Sequence, residues 1–168
     1  MWPARLSPHF TLHELTQSAK AAALNIANDP PEELLPNALR LANLAETVRD
    51  LLGQAAGREV LMSLTSGYRC PELNSAVGGA GKNPGEKLSA HVDFRSIDFL
   101  VLGTNLASAF ETIRKSAAPF DKLIFEIDSR GAAWLHLQVE RQGEEPARRV
   151  LRGVKGPLSS TYRELPHA

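Results

Sequence analysis

The sequence predicts an α+β domain in which N-terminal helices pack on a largely antiparallel sheet. Two observations lead to this class: helical apolar spacing comes first, and short apolar runs with period-two alternation, separated by helices, follow it. Each apolar helix stripe or sheet face must be covered by another layer, so this order favours helices lying on one sheet. At 168 residues, the chain has the size of one domain that buries a core without disulfides.

The N-terminal part carries two helix signals. Thr11 is a predicted N-cap, and Glu14 three residues later closes a capping box. A long helix is predicted over residues 31–52, with Pro36 near its first turn and Gly53 as its stop. Its apolar stripe consists of Leu34, Ala38, Leu41, Ala45, Val48 and Leu52.

After this helix the chain alternates predicted strands with helices and turns. In order these are the strand REVLMSLTSG, the short helix PELNSAVGG, the exposed loop GGAGKNPGEK, the buried strand SIDFLVL, the amphipathic helix TNLASAFETIRKSA, the hairpin strands FDKLIFEI and AWLHLQVE, and an edge strand ARRVLRG. The polar, Pro-containing end GPLSSTYRELPHA is expected to be loosely held. We therefore predict one domain over residues 1–156 and a tail over 157–168.

The composition excludes some classes of protein. Lys+Arg and Asp+Glu both number 19, and this balance argues against a nucleic-acid binder, whose affinity depends on a basic face. Cys70 is the single cysteine, so no internal disulfide is expected. Met1-Trp2-Pro3 is followed by no long apolar run, so we expect neither a secretory signal nor a membrane span. We therefore expect synthesis in the cytoplasm, with release or export by another factor if the substrate lies outside the membrane.

Three residues form a candidate metal site: His91, Asp98 and His136. Two imidazoles and one carboxylate can hold zinc and leave its fourth position for water. Asp98 lies in an apolar strand, where an unpaired carboxylate costs roughly several kcal/mol. Period-two alternation puts His136 on the strand face opposite Leu135 and Leu137. The three side chains converge if the strands of Asp98 and His136 are neighbours.

A metal-free alternative stays open, because a direct hydrogen bond from His136 to Asp98 would also satisfy the carboxylate. The other histidines, His9, His13 and His167, are expected to bind no ligand, since a single His is usually only packed or exposed.

The order of several motifs resembles a known enzyme family. SGYRCPELN, AVGG, a Ser-x-His followed by an Asp seven residues after the His, and WLHL occur in sequence. This pattern resembles the zinc D-alanyl-D-alanine carboxypeptidases and L-alanyl-D-glutamate endopeptidases, including phage endolysins, which share a fold with the hedgehog signalling domain. The resemblance implies that His91, Asp98 and His136 are zinc ligands and that Arg69 lines the substrate cleft. It also implies hydrolysis of peptide bonds in the stem peptides of bacterial peptidoglycan.

Some positions depart from the family pattern. Relatives usually carry Gly three residues and Ala five residues after the first His, where this chain has Phe94 and Ser96. Asp93 is also unusual, and is either a solvated loop residue or an outer partner of a ligand. Lys87 and Leu88 belong to a linker that is longer than expected.

The catalytic base is not at the position that many relatives use, three residues before the last His, because Ala133 stands there. The alternatives are Glu126 and Asp128, of which Asp128 is expected to cap the turn. If the hairpin turn centres on Gly131, Glu126 lies opposite His136 with Cβ atoms roughly 5 Å apart. We therefore expect Glu126 to act as the base, against the alternative of a half-exposed Glu at a strand end.

Arg69 is a candidate for binding a substrate carboxylate by a bidentate pair, against the alternative of an ion pair with Glu72. Ser89 and Tyr68 are further candidates for hydrogen bonds to the substrate or a ligand. Cys70 has no His or Asp beside it in the sequence, so a nucleophilic role is not expected.

Two functions follow. The first is a zinc-dependent peptidase, expected to be a monomer, that acts on peptidoglycan stem peptides and binds no nucleic acid. The second is a catalytically inactive module of the same fold, zinc-binding or metal-free, such as a structural or tail component of a phage particle.

Overall fold

The computed structural model describes residues 1–81, 87–156 and 160–166. Its helices are α1 (Leu12–Thr16), α2 (Ala19–Leu24), α3 (Leu35–Ala56), α4 (Pro71–Ala76) and α5 (Leu106–Lys115), with a 3-10 turn over Glu32–Leu34. Its strands are β1 (Leu61–Ser66), β2 (Ser96–Leu102), β3 (Lys122–Asp128), β4 (Ala133–Gln138), β5 (Arg149–Lys155) and β6 (Ser160–Glu164). The predicted α+β class is confirmed. Of the predicted loop GGAGKNPGEK, residues 82–86 lie outside the described part, and so does His167.

The strands form one mixed sheet in the order β1-β2-β4-β3-β5-β6. Only the β3–β5 pairing is parallel within the described residues, so the largely antiparallel sheet is also confirmed. β5 was predicted to be an edge strand and is not, because β6 pairs with its other side. Residues 160–164 had been assigned to a loosely held tail. All five residues are exposed, so no apolar alternation in the sequence predicts β6. Backbone pairing to β5 forms this strand.

The helices follow most of the local signals. Thr11 and Glu14 form the predicted capping box of α1. Pro36 lies at the first turn of α3 as predicted, but the helix continues through Gly53 and ends at Ala56. The stop at Gly53 was wrong because Gly57, with φ of +64°, supplies the left-handed C-cap. The six-residue helix α2 was not predicted, since it has a single buried side chain to mark a face.

The core lies on one face of the sheet, beneath α3 and α5. The predicted stripe of α3 is buried from Ala38 to Leu52, and Leu135 and Leu137 of β4 face the same core. Alternation along β4 and β2 therefore turns His136 and Asp98 to the opposite face of the sheet. Within the described residues, no helix combines the length and apolar character that a membrane crossing requires.

Candidate metal centre

Asp98 and His136 meet because their strands are neighbours in the sheet. They are register partners of the antiparallel β2–β4 pair, and partners of this kind point to the same face. His136 Nδ1 lies 2.9 Å from Asp98 Oδ1, and both side chains are buried. The convergence predicted from the sequence is thus confirmed for these two residues.

His91 joins them from the turn that precedes β2. Its Nδ1 lies 2.7 Å from the carbonyl oxygen of Gly67, and its Nε2 lies 3.3 Å from Asp98 Oδ2. A carbonyl oxygen only accepts hydrogen bonds, so Nδ1 carries the ring proton and donates a hydrogen bond to the Gly67 carbonyl. The lone pair of Nε2 is therefore directed towards Asp98 and His136. A ligating histidine is commonly held by an outer hydrogen bond of this kind.

The three residues fit a metal ion by their donor chemistry and their placement. One ligand atom from each of His91, Asp98 and His136 lies within 4.8 Å of the others, and all three residues are buried. Two nitrogens and a carboxylate form a donor set that zinc accepts. The imidazole rings of His91 and His136 approach edge to face, with centroids 5.2 Å apart.

The protonation states also suit a cation site. Burial lowers the pKa of His91 to about 4, and Arg69 contributes in the same direction. His91 is therefore neutral at physiological pH and keeps a free lone pair. Burial alone would raise the pKa of Asp98, but its interactions with His91 and His136 outweigh burial and hold that pKa well below the usual range. The site thus presents one anionic and at least one neutral donor.

Arg69 lies at the same cluster. Its Nη2 donates to Asp98 Oδ2 at 2.7 Å, and its Nε donates to Ser66 Oγ at 2.8 Å. Among the described residues its ion pair is with Asp98, and not with Glu72 as the alternative had it. The guanidinium, which is buried, therefore orients the central carboxylate and reaches the edge of the site.

Both the metal site and the metal-free alternative predict a contact between Asp98 and His136. This contact alone therefore does not distinguish between them. Arg69 also gives Asp98 a partner that needs no metal. The placement of the third residue favours a metal site. His91 is placed with its tautomer fixed by Gly67 and its lone pair aimed at the other two, which a simple Asp–His pair does not require.

Glu126 lies on the same face of the sheet, but in a different register from the predicted one. Glu126 pairs with Trp134, and Ile124 is the partner of His136. The turn closes with a hydrogen bond from Asp128 N to Ala132 O, so it centres one residue earlier than Gly131. The resulting shift of two residues preserves the face, because side chains alternate with period two.

Glu126 is buried, with only 3% of the residue exposed. It is therefore not the half-exposed Glu at a strand end that the sequence left as an alternative. Its Oε1 accepts a hydrogen bond from Tyr162 Oη at 2.8 Å. Its Oε2 is buried and has no hydrogen-bond partner within the described parts of the chain, although Lys155 Nζ lies 3.7 Å away. Glu126 is a diagonal neighbour of His136 across the strand pair, and long side chains in this relation are within reach of each other.

The two other acids considered for the base have structural partners. Asp128 Oδ1 accepts from the backbone N–H groups of Arg130 and Ala132, which confirms its role in the turn. Asp93 Oδ2 lies 3.4 Å from Arg95 Nη2, and its carbonyl accepts from Asn37.

Phe94 occupies the position where the zinc carboxypeptidases and endopeptidases that this sequence resembles usually have Gly. Its φ is +55°, a left-handed conformation that costs little for Gly and more for other residues. Phe94 is completely buried and packs against Trp2 and Tyr68, with centroid distances of 5.7 and 5.3 Å. The loop between His91 and Asp98 is therefore anchored by an aromatic ring.

The remaining candidates are distributed between site and core. Tyr68 is only 4% exposed and belongs to the aromatic cluster around Phe94. Ser89 Oγ accepts from the backbone N–H of His91 at 3.3 Å, beside the cluster. Cys70 Sγ accepts from Leu73 N at the start of α4, a structural role.

Sequence reasoning missed the outer parts of the site. A backbone contact such as that of the Gly67 carbonyl cannot be predicted from a pattern of side chains. The sequence around Ser66 does not indicate its contact with Arg69 either. Tyr162 lies in the segment interpreted as a loose tail, and Lys155 follows the predicted edge strand ARRVLRG. Only the parallel pairing of β3 with β5 and the addition of β6 bring them to Glu126.

Comparison with known proteins adds one match. The family model described as Peptidase M15 matches residues 8–138, which is more than half of the chain. The matched range contains His91, Asp98, His136 and Glu126 and ends before β5. No curated protein sequence matches the chain.

Proposed function

Since this chain belongs to the peptidase M15 family, a family of hydrolases acting on peptide bonds, we propose that it is a zinc-dependent peptidase whose substrate is the stem peptide of bacterial peptidoglycan. The observation that carries the proposal is the buried convergence of His91, Asp98 and His136. A phage or prophage lysis protein, or a bacterial wall-remodelling enzyme made in the cytoplasm and released to the wall by another factor, is the setting that fits this substrate.

His91, Asp98 and His136 hold the ion in this proposal. Bound zinc supplies a Lewis acid that lowers the pKa of water and polarises the carbonyl under attack. The protein keeps His91 neutral by burial and fixes its tautomer through Gly67. Arg69 holds Asp98 through Oδ2, so the carboxylate cannot rotate freely between its partners.

Glu126 is the general base of the proposed reaction. It shares a sheet face with His136, and its Oε2 is buried without a hydrogen-bond partner in the described residues. The ion pair with Lys155 Nζ, 3.7 Å from Oε2, compensates the charge but leaves this oxygen without a hydrogen bond, so it is available to accept a proton. Oε2 takes a proton from the attacking water and delivers it to the leaving amine, as a peptidase requires.

Arg69 is the proposed contact for a substrate carboxylate. Its Nε and one N–H of Nη2 are already bonded to Ser66 and Asp98. Both N–H groups of Nη1 and the second N–H of Nη2 remain as donors, and together they can form the bidentate clasp expected from the sequence. We therefore assign the substrate contact to Nη1 and the remaining N–H of Nη2, with Ser89 as a second polar group near His91.

The second candidate function is an inactive module of the same fold. Two observations favour the inactive module. Ala133 stands where many relatives carry an acid, and the ion pair of Asp98 with Arg69 satisfies the carboxylate without a metal. Such a protein would hold zinc, or none, as a structural component of a phage particle, and would release nothing from the wall.

Metal analysis combined with digestion of purified peptidoglycan separates the candidates. We expect one zinc per chain and the release of soluble products, identified by mass spectrometry. Free D-alanine would indicate a carboxypeptidase, and a cut between L-Ala and D-Glu would indicate an endopeptidase. Stoichiometric zinc with no released product would overturn the proposal that the chain is a peptidase and would support the inactive module.

A further inference from the structure

Glu126 is contacted by a strand that lies outside the family match. The match ends at residue 138, whereas Tyr162, whose hydroxyl donates to Glu126 Oε1 at 2.8 Å, belongs to β6. The C-terminal segment of this chain therefore contributes a side chain to the site.

The contact is built through three adjacent strands. Glu126 on β3 is the register partner of Gly153 on β5, and Gly153 is the partner of Tyr162 on β6. Partners on neighbouring strands share a face, so the three positions form one row. The aromatic ring crosses β5 and brings its hydroxyl to a carboxylate two strands away.

Gly153 makes this crossing possible. A Cβ atom at this position would lie 2.4 Å from Cε1 and 2.5 Å from Cδ1 of Tyr162, far inside van der Waals contact. Any side chain at residue 153 would therefore push the ring off β5. Because 45% of Tyr162 is exposed, the ring has solvent to move into.

The two oxygens of Glu126 have different surroundings. Oε1 accepts from Tyr162. Oε2 is buried and lacks a hydrogen-bond partner in the part of the chain that the structure covers, with Lys155 Nζ at 3.7 Å. A hydrogen bond to one oxygen fixes the rotation of the whole carboxylate, and so sets where the other oxygen points.

The surroundings of the Tyr162 hydroxyl keep it in its protonated form. Burial raises the pKa of its hydroxyl, and the charges of Glu126 and Asp98 raise it further. The hydroxyl therefore stays protonated and remains a donor at physiological pH.

We propose that Tyr162 is a positioning residue for the catalytic base: it holds Oε1 of Glu126 across Gly153 and thereby directs Oε2 to the reacting water. This inference rests on the proposed function, since it takes Glu126 to be the base. It assigns a part in the reaction to a segment that the family match does not include.

Kinetics of Tyr162→Phe test the proposal directly, because Phe keeps the ring and removes only the donor. We expect kcat to fall about tenfold or more, since misplacing a catalytic group costs rate, while KM, zinc content and melting temperature stay at parent values. Thr161→Ala is the matched control: it lies on the same strand, and alternation turns its side chain to the other face. A kcat for Tyr162→Phe within about twofold of this control would overturn the proposal.

Gly153→Ala provides a second route to the same contact without removing any functional group. In the parent background it should lower kcat about as much as Tyr162→Phe does. In the Tyr162→Phe background it should change kcat little, because the hydrogen bond is already gone. Independent, multiplying effects of the two substitutions would contradict a shared mechanism.

A third measurement needs no enzymatic activity. The chain contains two tyrosines, so the phenol of Tyr162 can be titrated by ultraviolet absorption and identified by its loss in Tyr162→Phe. Glu126→Gln should make Tyr162 ionise at lower pH than in the parent. Unchanged ionisation would show that the contact is absent and overturn the proposal. If the parent releases no wall peptide, the proposed function fails, and this titration still decides whether Tyr162 holds Glu126.

Discussion

Asp98 on β2 and His136 on β4 are direct register partners, and Asp98 Oδ1 lies 2.9 Å from His136 Nδ1. Antiparallel pairing of two strands far apart in the sequence thus creates two of the three positions of the candidate metal site. The third, His91, depends on a loop that bends back so that its Nδ1 meets the Gly67 carbonyl. The strand pairing fixes the positions of Asp98 and His136, and the loop adds the imidazole of His91.

Replacing His136 by Ala tests the ligand set. We expect the chain to lose both stoichiometric zinc and activity, because two protein ligands hold the ion too weakly. His13→Ala is the control, since His13 is an exposed residue of α1. Zinc content by atomic absorption and hydrolysis of peptidoglycan are the measurements. Retention of one zinc per chain in the His136 variant would exclude it as a ligand.

Replacing Glu126 by Gln tests the base. The amide keeps the shape of the side chain but cannot accept the proton, so turnover should fall by about 10²–10⁴, with zinc content and melting temperature preserved. Glu145→Gln, at an exposed position, is the matched control. Unchanged turnover in the Glu126 variant would assign the base elsewhere, with Asp128 or Asp93 as the next candidates.

The pKa of His91 predicts a pH-dependent stability of the metal-free chain. The imidazole titrates at about 4 in the folded state and near 6.5 in the unfolded state. Between these values the unfolded state binds more protons, so the free energy of unfolding rises with pH. The contribution, about 3 kcal/mol, is present above pH 6.5 and is lost as the pH falls to about 4.

Denaturant unfolding of the chelator-treated chain across this pH window measures the effect. His91→Gln should flatten the dependence, because Gln does not titrate. An equally steep dependence in the variant would show that other groups are responsible.

Phe94 allows strain and packing to be separated. Phe94→Ala removes a buried ring and should cost about 3–5 kcal/mol in the free energy of unfolding. Phe94→Gly loses the same packing, but Gly tolerates φ of +55°, so it should be more stable than the Ala variant by about 1 kcal/mol. Equilibrium unfolding in urea is the measurement. A Gly variant less stable than the Ala variant would mean that the strain at this position is smaller than the extra conformational freedom that Gly gains on unfolding.

The sequence predicted the parts of the site that depend on local pattern. Apolar alternation placed Asp98 and His136 on strands, and the spacing and family resemblance singled out His91. The face of Glu126 was also correct, because a register shift of two residues preserves it. Its partner was wrong, because the position of the turn depends on Asp128 capping Arg130 and Ala132, a choice among turn geometries that composition does not fix.

Other features depend on non-local pairing that the sequence pattern does not encode. β6 is exposed at every residue, so it forms only because β5 offers it an edge. The stacking of Phe94 on Trp2 joins positions that are far apart in the chain. Likewise, the bond from Tyr162 to Glu126 requires the parallel pairing of β3 with β5, which period-two alternation does not specify.

The most direct test of the metal centre is anomalous X-ray scattering at the zinc edge from crystals of the zinc-loaded chain. We predict one strong peak in contact with His91 Nε2, His136 Nδ1 and the Asp98 carboxylate. A map without a peak at this position, in which Asp98 instead keeps its direct hydrogen bond to His136, would contradict the zinc site and with it the proposed peptidase.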